Sequence, residues 1–463
     1  MISTFTMRRS ALALAVLTLS GCSFIPTYER PAAPVAAEWS GVTPVAAATP
    51  AAEVAWADFV SDARLRELIG LAIKNNRDLR VATLNIEQVR AQYQIRRADQ
   101  FPTLNLAATG SRQSNADDSI TSLYTAGLAM SGWEIDFFGR IASLKEVALA
   151  QYLASEEARN AAQTSLVASV ASTWLSLQAS DELLALTRRA FATRQDSLRL
   201  TRLRFDNGVT SALDLRQAES LTAAAESALA QQQRQRALDL NALTLLVGQP
   251  LPAGLVDPAR DAVTTTQPLF RDLPAGLPSD LLTRRADIRQ AEKTLIAANA
   301  NIGAARAAFF PRISLTASVG SASSELSGLF KDGSWGFSLA PQALLPIFDA
   351  GRNRAGLESA KVGRELAVAQ YEKAIQTAFR EVADALAGRA TLGEQLRAQQ
   401  AQATAEAERF RLAELRYRNG VASFLEVLDA QRSLFATQQT LVQTRLVQQQ
   451  NQVALYKALG GGY

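Results

Sequence analysis

Histidine is absent from this sequence, and cysteine occurs once, at Cys22. The first absence removes the commonest proton shuttle, and the two together remove the usual zinc ligands. A single cysteine also excludes a disulfide framework. There is no Gly-rich phosphate loop, no Gly-x-Ser-x-Gly elbow and no His-Glu-x-x-His pattern. The sequence thus predicts no enzyme, no cofactor and no metal site. A serine–carboxylate hydrolase is the class that composition leaves open, and no nucleophile stands beside a visible base. Aromatics are scarce at 7%, while Ala and Gln are abundant, a bias that favours long helices packed through small side chains. With 48% hydrophobic and 20% charged residues the chain is not disordered on composition, and its mean hydropathy of −0.01 is too low for a polytopic helical membrane protein. Net charge is small as well. Setting aside Arg8 and Arg9, which lie in a leader, 46 basic residues face 44 acidic ones, too even a balance for a nucleic-acid footprint.

What is present begins with that leader. Met7-Arg8-Arg9 is followed by a short apolar run of nine residues, Ala11 to Leu19, interrupted only by Thr18, and then by Leu19-Ser20-Gly21-Cys22. A bilayer needs about 20 apolar residues for a helical span, so 1–21 reads as a cleaved signal peptide. The Leu-Ser-Gly-Cys run resembles a bacterial lipobox, which implies that Cys22 is acylated and becomes the mature N-terminus. Ser23 after it suggests sorting to the outer membrane of a Gram-negative cell. Pro26, Pro31, Pro34, Pro44 and Pro50 make the next stretch an extended, coreless strap, placing a lipid-anchored N-terminal segment at 22–60.

The remainder is one unit written twice. Arg77-Asp78-Leu79-Arg80 and Arg97-Ala98-Asp99-Gln100-Phe101-Pro102 recur 209 residues later as Ala286-Asp287-Ile288-Arg289 and Arg306-Ala307-Ala308-Phe309-Phe310-Pro311. At a shift of 212, the run Leu203 to Leu213 matches Leu415 to Leu425 with seven of eleven positions identical, and Gly139-Arg140 matches Gly351-Arg352. So long a period marks a duplicated half-domain rather than a solenoid. The halves are assigned to 61–248 and 279–463, joined by a linker at 249–278.

Each half predicts the same elements: a helix from about 61 to 100, and again from about 279 to 309, each ended by proline. Leu104, Leu106 and Ala108 then alternate with Thr103, Asn105 and Ala107, as Ile313, Leu315, Ala317 and Val319 alternate with polar neighbours. This period of two marks two-faced strands. Polar tips (Arg112 to Asp118; Ser321 to Asp332) turn each into a hairpin, with strands within about 102–134 and 311–345, and Trp133, Trp335 and Phe337 are candidates for an interfacial aromatic girdle. Long proline-free helical stretches follow, 139 to 206 and 352 to 417. Narrow apolar stripes mark them: Leu166, Val170, Leu177 and Leu184 in the first, Val362, Leu366, Ile375, Phe379, Val382 and Leu386 in the second. Asn-Gly breaks each, and helices return at 211–247 and 423–459.

Four strands cannot close a barrel, and an open sheet edge is not tolerated in lipid. Strands in a membrane therefore demand oligomerisation. A homotrimer supplies twelve, and its helices would form a hollow cylinder. The fold class is mainly α with a transmembrane β-barrel contribution: a trimeric 12-stranded barrel on a periplasmic α-barrel.

At this point the sequence resembles the outer membrane factor family, the TolC-like tunnels, and within it the lipoprotein, NodT-type branch. Leu273 to Leu282 with Arg284-Arg285-Ala286-Asp287-Ile288-Arg289 resembles the family's inter-repeat signature, with Ala286 where proline is usual. Arg204-Phe205-x-x-Gly208 with Leu213-Asp214, and Arg416-Tyr417-x-x-Gly420 with Leu425 to Ala430, resemble its periplasmic helix-turn tips. The resemblance implies a passive outer-membrane channel for small toxic molecules, working with a periplasmic adaptor and an inner-membrane transporter of the resistance-nodulation-division type. The linker would lie at its equator. The expected adaptor-binding surface is Asn207, Gly208, Val209, Thr210 and Ser211 with Asn419, Gly420, Val421, Ala422 and Ser423. Asp214, Glu426 and Asp429, within about two turns of the reversals, are the expected acidic gate. By resemblance, Tyr417 would hydrogen-bond Asp214, and Ala422 stands where relatives can carry an arginine. Type I secretion, metal efflux and a non-channel periplasmic coiled-coil lipoprotein remain as alternatives, and nothing here names the cargo.

Overall fold

The computed structural model describes residues 23–36, 53–256, 268–273 and 278–462. The signal peptide, Cys22, the middle of the strap and parts of the linker lie outside the described residues.

The elements follow the duplicated plan. A short α1 (Trp56–Phe59), α2 (Ala63–Asn75) and α3 (Arg77–Ala98) lead into β1 (Asn105–Ser114) and β2 (Ile120–Glu134), then α4 (Arg140–Asp206) and α5 (Ala212–Val247). The second half runs α6 (Pro278–Arg284), α7 (Ala286–Ala307), β3 (Arg312–Ser323), β4 (Trp335–Leu344), α8 (Arg352–Arg418) and α9 (Phe424–Ala458). Both strand pairs reach further than expected. Arg112 to Ser114 and Ser321 to Ser323, assigned to tips by their polarity, are paired strand residues, because a strand with one wet face tolerates polar residues as long as its ladder continues.

The single helices expected at 61–100 and 279–309 are each broken, at Asn76 and Arg285. The breaks are equivalent. Asn76 caps α3 by accepting from the Leu79 amide at 2.9 Å and donates to the Leu246 carbonyl at 2.9 Å. Arg285 donates to Asp287 and Glu381 and, at 2.8 Å, to the Ala458 carbonyl. Residues 76 and 285 are related by the shift of 209, and 246 and 458 by the shift of 212. In each half a side chain at the break thus satisfies a carbonyl left open at a helix end.

The chain divides into two compact units. The first, residues 1–33, 84–157 and 290–373, holds the sheet. Its strands lie in the order β1-β2-β3-β4, all antiparallel, with a bulge in β2 between Met130 and Trp133. Leu295 and Tyr371 are buried in this unit. The second unit, residues 34–83, 158–289 and 374–463, has its core on Leu65, Leu68, Ile69, Trp174, Leu175, Leu243 and Tyr456. Phe59 stacks between Phe270 and Tyr456, whose hydroxyl donates to the Val54 and Gly462 carbonyls. Of the stripe residues, Leu166, Val170, Leu177, Leu184, Ile375, Val382 and Leu386 are buried and Phe379 half-buried, whereas Val362 and Leu366 are exposed in the single chain.

Candidate functional site

The sheet is two-faced by register. On one side Leu106 lies opposite Leu128, Leu128 opposite Val319, and Val319 opposite Phe337. The next row holds Met130, Ala317 and Leu339. On the other side Asn105, Ala129, Ser318 and Ser338 form one row, and Thr109 and Thr125 share a hydroxyl hydrogen bond in another. Phe337 and Leu339 are exposed although strongly apolar. A sheet wet on one side and apolar but uncovered on the other suits a barrel wall with lipid outside and water within. Gly127 and Gly320 meet so closely that a Cβ on either would lie 2.3 Å from a backbone oxygen of the facing strand. Of the three girdle candidates, Trp335 and Phe337 are exposed, while Trp133 is half-buried and donates its indole N–H to the Gln100 carbonyl.

At the foot of the sheet Glu134 is buried and held by two arginines, Arg140 at 2.6 Å and Arg312 at 2.7 Å. The strap lies along α7 in this same unit. Phe24 stacks on Phe310, Asn299 donates to the Pro26 carbonyl, and Arg30 grips Glu292 through both carboxylate oxygens at 2.8 Å. Tyr28 also donates to Glu292, and burial, followed by the Glu292 charge, pushes its hydroxyl far above the ordinary tyrosine value. The strap is therefore anchored rather than free from Phe24 to Arg30. Its prolines suggested an extended form, and only the spacing Tyr28-x-Arg30 against Glu292 could have hinted at the docking.

The second unit carries the two helix reversals. Gly208 and Gly420 have φ of +68° and +72°, the left-handed conformation that an Asn-Gly break was expected to need. The first reversal closes with a capping box: Ser211 accepts from the Asp214 amide while Asp214 accepts from the Ser211 amide and hydroxyl and from Thr210. These bonds, the Ser211 hydroxyl first, hold the Asp214 carboxyl below its ordinary value. Around each reversal stands the same exposed apolar quartet, Leu200, Leu203, Val209 and Leu213 at the first and Leu412, Leu415, Val421 and Leu425 at the second. Corresponding members are 212 residues apart.

The structure corrects one pairing and adds three residues. Tyr417 does not reach Asp214, which its own cap engages. The Tyr417 hydroxyl instead accepts from Arg204, whose guanidinium also lies over the Tyr417 ring at 5.2 Å, and the Phe424 ring is tilted against that same Tyr417 ring at 5.2 Å. Asp429 is bound by Arg409 at 2.6 Å and by Arg432 at 2.9 Å. The Arg409 bond foremost, then Arg432, depress its pKa. Glu426 sits in the first turn of α9, behind the Ser423 cap. Arg204, Arg409 and Arg432 were missed. Arg409 was findable, since it and Asp429 stand ten residues either side of Asn419, as partners across an antiparallel helix pair do. Among the described residues no cluster suits a metal ion and no helix is long and apolar enough to cross a membrane.

Comparison with known proteins places the chain among channels. The family model described as outer membrane efflux protein matches residues 68–249 and 277–461. The antibiotic efflux pump outer membrane protein ArpC of Pseudomonas putida is 48% identical over 470 residues, covering 99% of this chain and 96% of that protein. Outer membrane protein OprJ of Pseudomonas aeruginosa is 46% identical over 98% of this chain and 95% of its own length. Among solved structures, the open state of the Neisseria gonorrhoeae MtrE outer membrane channel is 40% identical, with a TM-score of 0.84 and coverage of 95% of this chain and 98% of that one.

Proposed function

The chain belongs to the outer membrane efflux protein family, and on that premise we propose that three copies close their sheets into one barrel and form the passive outer-membrane tunnel of a tripartite efflux pump. The observation that carries this reading is the sheet itself: four strands, an apolar and a polar face, and two free edges at β1 and β4. Free edges in lipid leave backbone groups unpaired, and pairing β4 of one copy with β1 of the next removes every edge. The tunnel performs no chemistry, and energy comes from an inner-membrane transporter of the resistance-nodulation-division type. Its cargo is small toxic molecules, in keeping with relatives named for antibiotic efflux.

The two reversals are the adaptor-docking surface, through Asn207 to Ser211 and Asn419 to Ser423. Two equivalent apolar quartets per chain give a trimer six equivalent docking positions. Asp214, Tyr417, Glu426 and Asp429 form the gate region. Cys22 carries the acyl anchor. The strap supports this last assignment, because it runs along α7 with Phe24 stacked on Phe310, just before β3.

The test is conductance of purified trimers in a planar bilayer, combined with drug sensitivity of cells. Wild-type protein forms ion-conducting pores. Gly208→Trp and Gly420→Trp trimers conduct equally well yet leave cells drug-sensitive. Non-conducting wild-type trimers overturn the channel reading, and full resistance in both variants overturns docking at the reversals. Mass spectrometry of the mature N-terminus decides Cys22.

A further inference from the structure

The Arg-Ala-x-x-Phe-Pro motif occurs twice, each time where a helix gives way to a strand, and the tunnel reading assigns it no role. The two copies have different surroundings. In the second, Phe310 is sandwiched between Phe24 of the strap at 4.6 Å and Phe138 at 5.0 Å, and Arg306 donates to the Phe24 carbonyl at 3.2 Å. This copy holds the segment that leads to the covalent lipid anchor. In the first copy no strap contact is present among the described residues. Phe101 is 66% exposed, and Arg97 is exposed with no acidic partner among the described residues, since the nearby Asp99 pairs with Arg96 at 3.4 Å.

The position of this vacant copy is specific. Phe101 lies four residues before the start of β1, and Leu104 and Leu106, both exposed, lead from it onto the apolar face of the sheet. Four residues apart in the chain, a guanidinium with no acidic partner and an uncovered ring are thus both exposed in the single chain, close in sequence to the apolar face of the sheet. Water solvates the first well and the second badly, whereas a phospholipid offers a phosphate to the guanidinium and acyl chains to the ring. Arginine is suited to the first contact because its planar fork binds two phosphate oxygens at once.

We propose that Arg97 and Phe101 bind an anionic glycerophospholipid of the periplasmic leaflet, one per chain, as the non-covalent counterpart of the strap on Arg306 and Phe310. The site rests on the reading that the sheet spans the outer membrane. It does not depend on acylation of Cys22, so a Cys22→Ser trimer is expected to retain it.

Native mass spectrometry of purified full-length trimers titrated with dioleoyl-phosphatidylglycerol tests it, with channel conductance measured on the same preparations. Wild type takes up one tightly held lipid per chain. Arg97→Gln weakens that binding by about tenfold or more, Phe101→Ala weakens it by a smaller factor, and Arg97→Lys keeps an intermediate affinity. Inorganic phosphate at millimolar concentration does not displace the lipid. Wild-type affinity in Arg97→Gln trimers overturns the proposal. So does a wild-type trimer that binds no phosphatidylglycerol, the result expected if a neighbouring copy covers Phe101. Should Arg97→Gln fail to assemble, the Arg97→Lys and Phe101→Ala titrations decide alone. A conducting trimer without the lipid removes this site and leaves the tunnel standing, whereas a non-conducting wild type removes the tunnel.

Discussion

At the scale of single residues, charge at the second reversal is more balanced than spacing alone implied. Glu426 and Asp429, three apart, share a helix face, and threefold repetition would set six carboxylates around one axis. Yet Asp429 is gripped by Arg409 and Arg432, so it acts as a tie between α8 and α9 more than as a bare charge. Cation selectivity should accordingly depend on Glu426. Glu426→Gln is expected to weaken it in reversal-potential measurements, while Asp429→Asn mainly raises conductance by releasing Arg409. The pH window follows from sign. Asp214 and Asp429 are both held below the ordinary aspartate value of 3.8. Their contribution is complete above that value and is lost only as pH falls through the still lower folded-state value. Conductance should be insensitive to these groups between neutrality and about pH 4 and should rise only under stronger acid. A transition near pH 6 would point to other groups. Arg204→Ala and Tyr417→Phe should each raise conductance, and if they act through one contact the double variant will add little to either.

At the scale of elements, the breaks at Asn76 and Arg285 support the ends of three helices. Asn76→Ala removes a cap and leaves the Leu246 carbonyl without its donor, a loss of about 1–2 kcal/mol. Arg285→Met removes the donor to the Ala458 carbonyl and leaves the partly solvated Asp287 and Glu381 without their cation, and should cost about 2–3 kcal/mol. Thermal unfolding of the trimer is expected to rank them in that order, and equal melting temperatures would deny Arg285 its hub role. Sequence reading found the long elements here and missed the breaks, for a physical reason. The helices α4 and α8 have no proline and unbroken small-residue periodicity, so their limits, 140–206 and 352–418, fall within a residue or so of expectation. Asn76 and Arg285 are neither proline nor glycine, and what stops the helix is a partner about 170 residues away in the chain. Strand faces were legible from alternation alone, whereas the Gly127–Gly320 contact was not, because register between hairpins depends on closure. Gly320→Val must push β2 from β3 and is expected to abolish heat-stable trimers on gels while secretion continues.

For the whole molecule, the duplication specifies how copies meet. Within one chain the seam between the halves joins β2 to β3 and packs α4 on α7, where Ser143 approaches Gly303 so closely that a Cβ there would clash at 2.6 Å. A closed ring repeats that seam between β4 of one copy and β1 of the next, with α8 on α3. Shifting Ser143 forward by 212 gives Ala355, and shifting Gly303 back by 209 gives Gln94. The strap's Ile25 also fills the internal seam against Gly303. Only one strap exists for every two seams, and a repeat of the inner seam would set the larger Gln94 where Ile25 meets Gly303. The exposed Val362 and Leu366 on α8, and Val81 and Leu84 on α3, are apolar side chains that a neighbouring copy would cover. Because Cys22 is the only native cysteine, the seam can be tested by cross-linking. Cysteines placed together at Gln94 and Ala355 should oxidise to disulfides between copies, giving a covalent trimer on non-reducing gels. Bridging requires Cβ atoms about 3.5–4.5 Å apart. Moving one cysteine from Ala355 to Glu358, about a turn along the helix, should remove the product. A ladder of equal yield from both pairs would mean that the outer seam does not copy the inner one, and that the two halves of the repeat contribute unequally to the wall.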